Sequence, residues 1–477
     1  MTEENAFQRR LNLFDSTAIV VGSMIGSGIF IVSADIARMV GSPGWLMMVW
    51  IITGFMTIFA ALSYGELAGM FPKAGGQYVY LKEAYNPLTG FLYGWTLFLV
   101  IQTGTIAAVG MAFAKFSGVL IPAISENIVW FKTGFFKFGP VQLVAIGSIA
   151  FLTWLNTRGI QEGKKVQNAF TSGKFILLVL FIIIGLAFAS NFSAISLNKA
   201  IFWSPEREGS AGNDIPLGGM ALVAAMGMAM VGSLFSSDAW NNITFTAGEV
   251  INPRKNIPLS LFLGTMIVTI LYLLANVVYI TALPLRGLPE GADIASRGMQ
   301  YAINDRLGTA SISGIFGNYT VLIMAAFIVI STFGCNNGLI LSGARVYYAM
   351  AVDGIFFKKV GTLNKQGVPA TGLILQGYWA SILCLSGTYG QLLDYVVFAV
   401  LIFYVLTILG LFRLRINHPE IERPYKAFGY PFIPLIYIVL ALIVMIILFI
   451  YKPGYTWPGL FIVILGIPVY FLWNKKS

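Results

Sequence analysis

Apolar runs close to the roughly 20 residues that span a bilayer core recur from one end of the chain to the other. Twelve are counted, at residues 16–36, 45–68, 88–113, 141–155, 170–189, 217–245, 259–283, 319–350, 371–385, 392–411, 432–450 and 460–473. None shows the short alternating pattern of a membrane β-strand. Inside lipid a segment must satisfy its own backbone hydrogen bonds, so the twelve are predicted to be helices. The first run carries polar residues, follows a start containing Glu and Arg, and lacks a small-residue cleavage site, which reads as a span rather than a removed leader. The longest polar connections, 115–140, 190–216 and 284–317, all fall on one side, and the stretch 293–307 within the last has helix-like composition, read as a solvated surface helix.

Composition sharpens this picture. Hydrophobic residues make up 57% of the 477 and charged residues 10%, where a water-soluble protein carries roughly 25% charged residues; the mean hydropathy is +0.79. No soluble domain fits anywhere. Two cysteines, Cys335 and Cys384, both within apolar runs, exclude a disulfide scaffold, and the single histidine, His418, excludes a multi-histidine metal site. The net charge of +10 is a topology signal: nineteen of the 30 Lys and Arg residues, Lys475 and Lys476 among them, fall on one side of the spans and ten on the other, with Lys174 inside a span. The basic side is the cytoplasmic one. The chain is therefore expected to be a multi-pass protein of the cell membrane, plasma or inner, in contact with the lipid bilayer, with both termini cytoplasmic and no nucleic-acid partner.

Two spans carry matching interruptions. The first contains Val21-Gly22-Ser23-Met24-Ile25-Gly26-Ser27-Gly28-Ile29-Phe30, and the sixth contains Val231-Gly232-Ser233-Leu234-Phe235-Ser236-Ser237-Asp238-Ala239-Trp240. Glycine and serine propagate helices poorly, and an offset of 210 residues lays one Val-Gly-Ser on the other. The offset is five spans, an odd number of crossings, so a second five-span unit sits upside down relative to the first. Interrupted segments at corresponding positions of inverted halves point to a transporter binding site. A break frees N–H groups that attract a carboxylate and C=O groups that attract an ammonium group or a cation, and a zwitterionic α-amino acid carries both charges. The competing reading is that these small residues only let helices pack closely; the second break, with Asp238 at its centre, weighs against it.

At these residues the chain resembles the amino acid–polyamine–organocation superfamily, in particular its L-type amino acid transporter branch. The resemblance runs through Ile25–Phe30 and through Phe71-Pro72-Lys73-Ala74-Gly75-Gly76-Gln77-Tyr78-Val79-Tyr80, continuing to Tyr85. It extends to Glu249 with Asn252-Pro253-Arg254-Lys255-Asn256-Ile257-Pro258, and to Pro419-Glu420-Ile421-Glu422-Arg423-Pro424. It implies an all-α integral membrane protein of twelve transmembrane helices with a LeuT-type inverted repeat of five plus five helices and two more at the C-terminus. The units would be residues 1–190, 191–416 and 417–477. It implies a substrate site at Met24, Ile25, Gly26, Ser27, Gly28, Phe235, Asp238 and Ala239. The N–H groups around Gly26, Ser27 and Gly28 would hold the carboxylate, carbonyls near Met24, Phe235 and Asp238 the ammonium group, and Phe235 would be the gate that closes from outside. Asp238-Ala239 departs from the paired glycines common in the animal branch, so Asp238 either acts through its backbone or faces a cationic substrate; an intramembrane carboxylate is a functional suspect by default.

Lys174 stands at the start of the fifth apolar run. Either it snorkels to the interface about one turn away, or its ammonium sits between the first and eighth helices where sodium lies in sodium-coupled relatives, with Gly22 and Ser331 as neighbours in the coupling site; a proton-coupling role is open beside a fixed charge. Asn336 and Asn337 are expected to bond between helices, Gln102, Thr103 and Thr105 to be able to line the pocket, and Glu66 to be structural. The expected function is secondary active transport of L-amino acids by alternating access, as sodium-independent exchange of neutral ones; the alternative is a proton-coupled or cationic amino acid permease. The chain lacks the Walker-type Gly-Lys-Ser/Thr loop of an ATP-driven pump, the nucleophile–base pair of an intramembrane enzyme and the repeated pore element of a channel. No cofactor, no metal and no disulfide-linked subunit is expected.

Overall fold

A computed structural model describes residues 7–133, 136–208, 214–386 and 389–474; Lys475 and Lys476 of the charge count lie outside the described residues. The first span is two helices, α1 (Leu13–Met24) and α2 (Val32–Val40), with a short 3₁₀ turn, Gly28–Phe30, between them. Asn12 starts α1 with a reciprocal cap, its Oδ1 accepting from Asp15 N–H at 2.9 Å while Asp15 Oδ2 accepts from Asn12 N–H at 3.0 Å. Gly41 ends α2 in the left-handed conformation (φ 58°), and Pro43 opens α3 (Pro43–Met70) at the first helical turn. Then follow α4 (Gln77–Ala84), α5 (Pro87–Thr96), a π-helical turn at Leu97–Ile101, α6 (Gln102–Leu120), α7 (Pro140–Thr157), α8 (Ile160–Phe188) and α9 (Phe192–Ala200).

The sixth span repeats the division, with α10 (Gly219–Ser236) and α11 (Asn242–Phe245). After it come α12 (Pro253–Ala282), α13 (Ile294–Arg297), α14 (Leu307–Phe316), α15 (Thr320–Val352), α16 (Ala370–Ser386), α17 (Tyr389–Asn417), α18 (Phe432–Tyr451) and α19 (Pro453–Asn474). Helix α3 packs on α12, α6 on α15 and α7 on α16, each on the helix five spans further along the chain. The half-helices cross over likewise: α2 packs against α10, and α1 against α11.

Among the described residues ten helices are long and apolar enough to cross a membrane. The other two expected spans are the divided first one, in pieces of 12 and 9 residues, and α16, with 17. Helix α8 begins ten residues before the apolar run that predicted it, because Gln161–Lys165 and Gln167–Asn168 add a polar but helical lead-in. Two small antiparallel hairpins, β1 (Phe131–Thr133) with β2 (Phe136–Phe138) and β3 (Glu206–Glu208) with β4 (Asp214–Pro216), occupy two of the long polar connections. In the third, the stretch 293–307 is not one solvated helix. It is broken into a short helix at Ile294–Arg297 and a 3₁₀ turn at Ile303–Asp305, Met299 and Leu307 are fully buried, and Arg38 of α2 donates to Gln300 O (2.7 Å) and Asp305 Oδ1 (2.6 Å). On the opposite face, fully buried Glu66 of α3 accepts from Arg415 (2.9 Å), from the Ala427 N–H (2.7 Å) and pairs with Arg423 (3.3 Å), which fixes the segment after α17 and makes Glu66 structural.

Candidate functional site

At the first break the freed carbonyls all have partners. Lys174 Nζ donates to Gly22 O and, at 2.7 Å, to Ile25 O; Cys335 Sγ donates to Ser23 O at 3.0 Å; the Tyr272 hydroxyl lies 3.0 Å from Met24 O; Ser331 Oγ lies 3.2 Å from both Ile25 O and Gly26 O. Ser27 O and Gly28 O accept from Phe30 and Ile31 within the 3₁₀ turn, and Ile29 O accepts from the Tyr279 hydroxyl at 3.1 Å. The donor side is different. Among the described residues no backbone carbonyl accepts from the N–H groups of Gly26 or Gly28, and the buried Ser23 hydroxyl has no hydrogen-bond partner. Buried backbone groups are rarely left unpaired unless a ligand or water completes them.

Ser23, Gly26 and Gly28 border a cavity between α1, α6, α10 and α15. Met24, Gly26, Ser27, Gly28, Phe235, Asp238 and Ala239 line it, so the structure brings together seven of the eight residues expected for substrate. Ile25 is the exception. Its side chain is fully buried away from the cavity, and its carbonyl is taken by Lys174 and Ser331. Glycine is required where the walls meet: a Cβ on Gly28 would collide with Ser236, and one on Gly22 with Gln167 and Thr171 of α8.

The second break follows Ser236. Asp238 N–H still donates to Phe235 O (3.1 Å), and Ala239 then turns left-handed (φ 64°), a conformation glycine adopts freely and alanine does not. This is a physical reason for glycine at the position in the animal branch. Asp238 Oδ1 accepts from the Tyr404 hydroxyl of α17 at 2.6 Å, so this carboxylate oxygen is engaged by the protein. Asp238 also borders two neighbouring cavities, one lined by Gln77, Asn241 and Asn242, the other by Trp240 and Tyr437. Trp240 packs edge-on against Tyr64 (4.8 Å between centroids).

The sequence profile of the family described as "Amino acid permease" matches residues 11–472. The chain belongs to the amino acid permease family. The human "Large neutral amino acids transporter small subunit 2" is 30% identical to this permease over 99% of it and 82% of the relative. The mouse "b(0,+)-type amino acid transporter 1" is 29% identical over 98% and 88%, and the mouse "Asc-type amino acid transporter 1" 28% identical over 100% and 83%.

In this permease Lys174 does not snorkel. It is fully buried, fourteen residues or about 21 Å into α8, and its ammonium joins Gly22 O and Ile25 O to Ser331 O (3.4 Å), bringing the three expected coupling residues together. Asn337 bonds between helices, to Asn156 (2.9 Å), Gly163 O (3.1 Å) and Gln167 (2.9 Å). Among the described residues the buried Asn336 amide has no hydrogen-bond partner, so the expected bond between helices is made by Asn337 alone of the two. Thr105 lines the cavity; Gln102 donates to Leu339 O (2.7 Å), and Thr103 bonds back to Phe98 O (2.6 Å) across the π-helical turn.

Sequence reasoning missed Tyr272, Asn276 and Tyr279. They repeat at helical spacing on α12 and stitch both breaks to it: the Tyr272 hydroxyl lies within 3.0 Å of Met24 O and 3.1 Å of Ser236 O, and Ser33 of α2 donates to Asn276 Oδ1 at 2.6 Å. Polar residues at i, i+4 and i+7 in an otherwise apolar span were the available signal. Tyr272→Phe, which removes only that hydroxyl, is expected to reconstitute normally and to slow transport roughly 2- to 10-fold, the range one hydrogen bond sets. Initial uptake rates in proteoliposomes check it, and an unchanged rate would show the bridge to be dispensable.

Proposed function

We propose that this permease is a secondary transporter, not an enzyme, that moves neutral L-amino acids by alternating access, exchanging one for another without sodium. One observation carries the reading: among the described residues the N–H groups of Gly26 and Gly28 and the Ser23 hydroxyl, beside a cavity, have no hydrogen-bond acceptor, while every carbonyl from Gly22 to Ile29 is satisfied. Such a cradle demands a carboxylate. The substrate ammonium shares Met24 O and Ser236 O with Tyr272, since a carbonyl oxygen has two lone pairs, and Phe235 closes over the ligand. Lys174 supplies the charge that a sodium ion would otherwise bring to Gly22 and Ser331.

Residues 1–190 and 191–416 act as the two inverted units and 417–477 as an appended pair, in the cell membrane with both termini cytoplasmic, a placement the 19-to-10 asymmetry of Lys and Arg supports. Cys335 and Cys384 are both buried, which supports a carrier without a disulfide-linked subunit. The relatives' names, large neutral amino acids transporter, b(0,+)-type and Asc-type amino acid transporter, support amino acid transport.

Radiolabelled L-leucine and L-alanine uptake into proteoliposomes tests the proposal. Uptake stimulated by internal amino acid and indifferent to sodium is expected. Accumulation driven by an inward proton gradient, with no stimulation from inside, would favour the proton-coupled permease instead. L-Lysine uptake exceeding that of both neutral substrates would favour the cationic one, and Asp238 would be its cation site.

A further inference from the structure

A second cavity lies away from the substrate site. It is a groove of about 1970 Å³ between α3 and α12, closed at one end by the segment Pro424–Ile433. Its walls are single apolar stripes: Phe55 and Phe59 on α3, at i and i+4, face Phe262, Met266 and Ile270 on α12, at i, i+4 and i+8. Phe55, Ile270 and Phe428 are exposed, so the groove opens sideways, toward lipid for a protein of this class. From Leu62 to Ile51 its α3 wall spans eleven residues, about 17 Å, which matches the hydrocarbon depth of one leaflet, half of roughly 30 Å.

Charge is confined to one end. Arg254 and Lys255, at the start of α12, are the only charged residues among those lining the groove. Arg254 is held by Glu422 of the segment after α17 at 2.7 Å. Among the described residues no carboxylate forms an ion pair with Lys255. An apolar channel one leaflet deep, ending in a cation without a carboxylate partner, has the charge pattern of an anionic phospholipid: acyl chain along the helices, phosphate at the mouth. Clusters of basic residues between helices at the cytoplasmic interface recognise such headgroups, and this end lies on the side that the Lys and Arg count assigns to the cytoplasm.

We propose that the α3–α12 groove is a specific site for one anionic phospholipid, whose headgroup is held by Lys255 and Arg254. One of its walls, α12, packs on α1 and carries Tyr272, so the bound lipid braces the scaffold of the first break from outside. The site is tested by binding, independently of transport. The purified full chain, released from nanodiscs containing equal phosphatidylglycerol and phosphatidylcholine, is analysed by native mass spectrometry. One retained phosphatidylglycerol per chain is expected, with retention roughly fivefold weaker in Lys255→Ala and lost in Ile270→Trp, which fills the groove. Equal retention of phosphatidylcholine, or full retention in both variants, would overturn the proposal. A dimer that Ile270→Trp dissociates would assign the groove to a second copy of the chain instead.

Discussion

Lys174→Ala is expected to abolish most exchange, lowering initial uptake ten- to a hundredfold in proteoliposomes while the protein still purifies and reconstitutes. The ammonium holds the C-terminal end of α1 at Gly22 O and Ile25 O and ties it to Ser331 O of α15. Hydrogen bonds from a charged donor contribute about 1.5–3 kcal/mol each, and one such loss at the half-helix that must move sets the factor given. Ser331 Oγ still reaches Ile25 O, so the break does not fall apart. Helix α8 touches α1 along its length through Gly22, Gln167 and Thr171, which keeps the fold in place. Lys174→Met separates charge from packing: it keeps the stem that fills the buried slot, and is expected to fail in transport as badly as alanine. Uptake at the wild-type rate in either variant would remove Lys174 from the coupling role.

Much of this site was legible because breaking a helix leaves marks in composition. Gly22, Gly26 and Gly28 among serines, matched by Gly232 and Ser233 five spans later, located both interruptions, and seven of the eight residues expected for substrate line one cavity. What stayed hidden depends on how helices rotate about their axes. Ile25 and Met24 are neighbours in the sequence, yet an extended cap at Ile25 (ψ 100°) buries its side chain while Met24 faces the cavity. Tyr272 and Tyr279 read as ordinary aromatics of an apolar span, because the carbonyls they serve lie some 250 residues away. The polar lead-in of α8 left the placement of Lys174 open between the interface and the space between the first and eighth helices, and the structure has it in the latter. A hydropathy reading starts a span at its first apolar run, whereas the helix starts where Gly159 (φ 126°) lets the backbone turn. The ammonium therefore sits deep in the bundle, not near an interface.

Arg345→Ala is expected to cost about 3–5 kcal/mol of stability, seen as a fall of several degrees in the unfolding temperature of the detergent-solubilised protein. Arg345 of α15 and Glu249, just beyond α11, are each about 1% exposed and meet in a two-pronged pair, Nε to Oε2 at 3.1 Å and Nη2 to Oε1 at 3.0 Å. The Glu249 carbonyl also accepts from the N–H groups of Arg10 and Leu11 (2.8 and 2.9 Å), and Ile251 N–H returns a bond to Leu11 O (2.8 Å), so the pair anchors the N-terminal segment against the end of the sixth span. Removing the guanidinium leaves a buried carboxylate with no counter-charge, and that desolvated charge, more than the lost attraction, dominates the cost. The double variant Arg345→Met with Glu249→Met removes both charges and is expected to recover most of the stability, because a buried ion pair gains little over apolar side chains of similar volume. If Arg345→Ala unfolds at the wild-type temperature, or the double variant is less stable than the single one, the knot is held by packing and not by charge.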